Sequence, residues 1–64
     1  MESRLRRLKQ AAREQGFHVS ETADGVLAFH KDGDTHTCRV PERAIQLMDL
    51  LRELKRMGLE SPFD

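Results

Sequence analysis

Residues 22–34 read Thr-Ala-Asp-Gly-Val-Leu-Ala-Phe-His-Lys-Asp-Gly-Asp, and the two Asp-Gly steps near its ends decide the fold. Between them Leu27 and Phe29 alternate with Val26, Ala28 and His30, the period of two that a half-buried strand requires. Asp32-Gly33 suits a two-residue type I′ hairpin, whose central residues both need positive φ. That turn pairs Lys31 with Asp34, Phe29 with His36 and Leu27 with Cys38. The upstream turn, Thr22 to Val26, suits a three-residue loop with Gly25 in the left-handed position of a G1 bulge. Thr22 then pairs with Val26, Val19 with Phe29 and His18 with His30. A two-residue loop would set Phe17 against His30 and mix the two faces. The reading is a three-stranded antiparallel meander over about 17–22, 26–31 and 35–40, with His36, Cys38 and Val40 on the core side.

Outward from the meander the period lengthens. Leu5, Leu8 and Ala12, with Ala11 beside them, recur at helical spacing over residues 3–15, with Ser3 placed as an N-cap and Gly16 as a left-handed C-cap. Downstream, Pro41 suits the first turn of a second helix over 41–57, with Glu42 near the positive end of its dipole and Gly58 closing it. Ala44, Ile45, Leu47, Met48, Leu50, Leu51, Leu54 and Met57 cover well over half of that helix's circumference. One small sheet covers only part of this surface. The first helix must share it, and the tail over 59–64, with Leu59 and Phe63, or a dimer partner is expected to cover the rest. The fold class is α+β: an α-β-β-β-α chain with two helices packed on one face of the sheet.

Sixty-four residues allow one domain and one small core. Eleven Lys and Arg balance eleven Asp and Glu, so a molecule-wide cationic field for nucleic acid is excluded. The balance is segregated, however. Residues 1–15 carry five cations (Arg4, Arg6, Arg7, Lys9 and Arg13) against Glu2 and Glu14, leaving the remainder net acidic. No apolar run approaches the roughly 20 residues of a bilayer span, and no apolar segment follows the Arg-rich start. A cytoplasmic protein is expected. The single cysteine, Cys38, excludes an internal disulfide and any CxxC motif.

Several of these residues together resemble a family. Gly16-Phe17 after the first helix, Gly25 with Phe29, the turn at Gly33, Val40-Pro41, and the closing run Leu51 to Leu59 are similar to the HicA-type small toxins. Those are mRNA-cleaving proteins of toxin–antitoxin pairs with a double-stranded-RNA-binding-like fold. The resemblance spans about 55 residues and implies a small accessory or regulatory protein of a prokaryotic mobile-element type. It departs from the pattern at one decisive place: the family's Gly-Ser-His on strand two corresponds to Gly25-Val26-Leu27, and leucine moves no proton.

Three groups of side chains are candidates for function. On the open sheet face, His18 and His30 face each other with Thr35, Thr37 and Arg39 nearby. A metal site, or base and acid for RNA cleavage, would need more ligands or a nucleophile than this face offers, so solvated histidines are the simpler reading. On the first helix, Arg6, Lys9 and Arg13 form a stripe able to meet phosphates, although a solvated helix face has the same pattern. On the second helix, Ile45, Met48, Leu50 and Met57 carry the apolar surplus. Asp32-Gly33-Asp34 lacks the remaining ligands of a calcium loop and is only a turn. No metal, cofactor or small-molecule substrate is expected. The reading is a non-catalytic protein-interaction module, taking a protein partner or forming a homodimer, with duplex RNA or DNA binding through the first helix as the alternative.

Overall fold

In the computed structural model, which describes residues 2–63, the chain runs through α1 (Glu2–Glu14), β1 (His18–Glu21), β2 (Val26–Lys31), β3 (Asp34–Arg39) and α2 (Ala44–Arg56). Met1 and Asp64, the ends of the expected domain, lie outside the described residues. The sheet has the order β1-β2-β3 with both neighbours antiparallel. Its register is the one that the turns require. His18 faces His30 and Val19 faces Phe29; Leu27 faces Cys38, Phe29 faces His36 and Lys31 faces Asp34. Asp32 and Gly33 take φ of +53° and +87°, as a type I′ turn demands. At the other turn, the Thr22 amide donates to the Val26 carbonyl at 2.9 Å, and Gly25 has φ of +83°.

Both helices end in the same device. The Phe17 amide donates to Ala12 O, and the Leu59 amide to Leu54 O, each at 2.9 Å, closing Schellman motifs around Gly16 (φ +94°) and Gly58 (φ +105°). In each case the two apolar residues joined by the bond are buried, so the stop signal also turns the chain into the core. A Cβ on Gly58 would meet nothing within 4 Å, which leaves backbone strain as the whole cost of a side chain there. Gly58→Ala is expected to lower stability by about 1–2 kcal/mol, seen as a lower urea midpoint at unchanged slope.

The helix starts differ from expectation. α2 begins at Ala44, three residues beyond Pro41, so Pro41 and Glu42 lie outside the helix. Proline biases the preceding Val40 toward extended backbone, and the chain is still non-helical at Arg43 (φ −133°, ψ 158°). Gln46 then reaches back, its Oε1 accepting from the Glu42 and Arg43 amides at 2.7 and 3.1 Å. Only this half of a capping box forms, because a guanidinium has no acceptor for the return bond. α1 starts at Glu2, which puts Ser3 inside the helix and not at its cap.

Leu5, Leu8 and Ala12 from α1, Phe17, Leu27 and Phe29 from the sheet layer, and Leu47, Leu50, Leu51, Leu54 and Leu59 form one buried core. α1 lies over β1 and α2 over β3, on the same side of the sheet. The opposite face, bearing His18, Ser20, His30, Thr35, Thr37 and Arg39, is exposed. Lys9 Nζ bridges α1 to Glu21 at 3.4 Å, and Lys31 Nζ sits 5.0 Å from the centroid of Phe17.

Candidate functional site

The surplus on α2 resolves once its positions are laid around the helix. Leu47, Leu50, Leu51 and Leu54 follow the i, i+3, i+4, i+7 spacing of a core stripe and are buried. Leu50, expected on an interaction surface, is only 3% exposed: it belongs to the core, because it faces the sheet. Met57, the C-cap residue, is half-buried and packs against the same core. Ile45 and Met48 remain, 69% and 56% exposed. The neighbouring row Ala44, Met48, Leu51 and Lys55 looks toward α1 across a groove of about 680 Å³.

α1 completes this groove with residues assigned no role by the sequence. With Leu5, Leu8 and Ala12 turned into the core, Arg4 and Arg7 fall on the flank that faces α2. Arg6, Lys9 and Arg13 fall on the opposite flank, at about 100° per residue. Lys9 there is held by Glu21, which leaves Arg6 and Arg13 as the exposed cations of that stripe. The tail residues Ser61, Pro62 and Phe63 form the remaining wall. They are pinned at Glu60: its amide donates to Gln15 Oε1 at 2.7 Å, and its carbonyl accepts from Gln15 Nε2 at 2.9 Å. Ser61 Oγ donates to Phe63 O at 2.8 Å, and the Arg7 guanidinium lies 5.7 Å from the Phe63 ring centroid. The result is an apolar floor of Leu47, Met48 and Leu51, with Arg4 and Arg7 along the α1 wall and Lys55 at the C-terminal end of the α2 row. Among the described residues no carboxylate lines it.

The other candidates are less developed. His18 and His30 stand opposite each other and exposed, with His30 Nδ1 hydrogen-bonded to Thr35 Oγ1 at 2.7 Å. Arg39 does not join them. It pairs with Val26, four positions from His30 along β2, or about 13 Å away. A shallower cleft between β3 and α2 is lined by His36, Cys38, Gln46, Asp49 and Glu53. Burial pushes the Cys38 thiol up, which disfavours a thiolate. Among the described residues no three His, Cys, Asp or Glu side chains converge as metal ligands, here or on the open face. Leu27, at the position the HicA-type resemblance gives to the catalytic histidine, is fully buried in the core.

The signal for Arg4 and Arg7 is present in the sequence, since both sit one position before a core leucine. Which flank of α1 meets α2, however, follows from the order of the layers, and periodicity alone does not carry that. Comparison with protein-family models, curated proteins and solved structures found no match to this chain.

Proposed function

We propose that the chain is a non-catalytic protein-interaction module that docks a partner in the groove between α1 and α2. One observation carries the reading: Met48 and Ile45 stand exposed on a helix whose leucines are buried, and Met48 continues the apolar floor of the groove. Isolated exposed apolar residues are ordinary, but an apolar strip continuous with a concave floor marks a binding surface. Fully burying an exposed side chain of this size is worth about 1.5–3 kcal/mol, and Ile45 and Met48, already partly covered, offer roughly half to two-thirds of that each. Methionine also adapts its shape to what it meets. The HicA-type resemblance adds the expectation of a regulatory or accessory role, with RNA cleavage set aside because Leu27 replaces the acid/base. Nucleic-acid binding through Arg6, Lys9 and Arg13 has weaker support, since Lys9 already serves Glu21.

The test is a peptide-display selection on the intact chain, counter-screened against Met48→Asp and Ile45→Asp. Selected binders should lose at least tenfold in affinity to Met48→Asp and compete with one another, while Ile45→Asp, exposed but outside the groove lining, should cost them less. A selection yielding no binder, or binders indifferent to Met48→Asp, overturns the proposal.

A further inference from the structure

Resting on the groove as a protein-docking site, we infer that its occupant is an amphipathic α-helix of another protein, about three turns long and acidic along the flank that meets α1. Length comes first. The row from Ala44 to Lys55 advances 11 residues along α2, about 16 Å, which three helical turns match. Conformation follows from the floor. Leu47, Met48 and Leu51 offer no partner to backbone amides, so an extended segment lying there would bury unpaired N–H and C=O groups. A helix satisfies these groups internally and presents only an apolar stripe, the i, i+3, i+4, i+7 anchors of helix-in-groove recognition.

Charge then selects the partner. Arg4 and Arg7 line the α1 wall and Lys55 closes the C-terminal end of the α2 row, so carboxylates on the flank of the incoming stripe that meets α1, and at its end beside Lys55, meet cations. The same pattern argues against a second copy of this chain on the face. A two-fold contact is self-complementary, and it would set the cations of one groove against those of the other. A phosphate backbone would satisfy the rim but leave the floor against charge. The chain's own tail shows what the walls accept: Phe63 rests beside Arg7, an apolar ring under a cation.

The experiment uses two synthetic 14-residue helical peptides with one identical leucine stripe, one flanked by glutamates and the other by lysines, titrated into the intact chain. At low salt the Glu-flanked peptide should bind at least tenfold tighter, with the gap narrowing as salt rises. Arg4→Glu combined with Arg7→Glu should reverse the order, and Met48→Asp should weaken both peptides. Arg6→Glu with Arg13→Glu, on the other flank, should leave the preference unchanged. Equal binding of both peptides that still depends on Met48 would overturn the acidic partner while sparing the docking groove. No binding of either peptide would overturn the helical occupant, and the display selection then decides the groove separately. Dimerisation blocked by Met48→Asp in sedimentation, or preferential binding to duplex RNA or to anionic vesicles, would also overturn the inference.

Discussion

Leu50→Asp is expected to unfold the domain at 25 °C, whereas Met48→Asp, two residues earlier on the same helix, should leave it folded. Leu50 is 3% exposed and packs in the core formed by both helices and the sheet. Truncating such a leucine costs about 2–5 kcal/mol, and a buried, unpaired carboxylate adds several more. A single core in a chain of 64 residues rarely supplies more than about 3–5 kcal/mol, so the sum matches or exceeds what is there. Met48 is 56% exposed, and a carboxylate at its end remains in water near Lys55. Its effect on stability should fall within about 0.5 kcal/mol, the ordinary range for surface positions. Far-ultraviolet circular dichroism with urea titration reads both. A folded Leu50→Asp protein would mean that α2 is rotated about its axis relative to the sheet, and the groove floor would then be wrong as well.

Phe29→Ala should be nearly as damaging. Phe29 has no exposed surface, sits on the central strand, and has Val19 on one side and His36 on the other. Removing a buried phenylalanine costs about 3–5 kcal/mol. At about 4–8 °C per kcal/mol for a domain of this size, the melting temperature should fall by at least about 12 °C, or the transition should vanish. His30→Ala, one residue later and on the opposite face, should change it by no more than a few degrees, because only the exposed pair with Thr35 is lost. Comparable losses at both positions would contradict the register.

The sheet was legible because its turns leave few choices. Asp32-Gly33 permits a two-residue loop, Gly25 a three-residue one, and parity then assigns every side chain of the meander to a face. The helix ends were legible at Gly16 and Gly58 for a similar reason, since left-handed backbone at a helix end favours glycine. Proline is less specific. Pro41 suits a helix start, but it equally biases Val40 toward extended backbone, and here Gln46, farther along, sets the first turn. The groove was half legible. A surplus of apolar residues on the second helix shows that some must face away from the sheet, yet Leu50 and Met48 differ only in their angle around the helix. Which of them is surplus depends on where α1 and the sheet lie. Arg4 and Arg7 were hidden for the same reason: helical spacing already sets them apart from Arg6, Lys9 and Arg13, but only the position of α2 shows which of the two flanks lines a groove.

The groove itself is tested most directly by amide chemical-shift mapping of the ¹⁵N-labelled chain with a display-selected binder. Shifts concentrated at Arg4, Arg7, Met48, Leu51 and Lys55 are the predicted result. Shifts concentrated instead at His18, Ala28, His30, Thr35 and Thr37, or along the free edge of β3, would place the binding surface on the sheet and contradict the account.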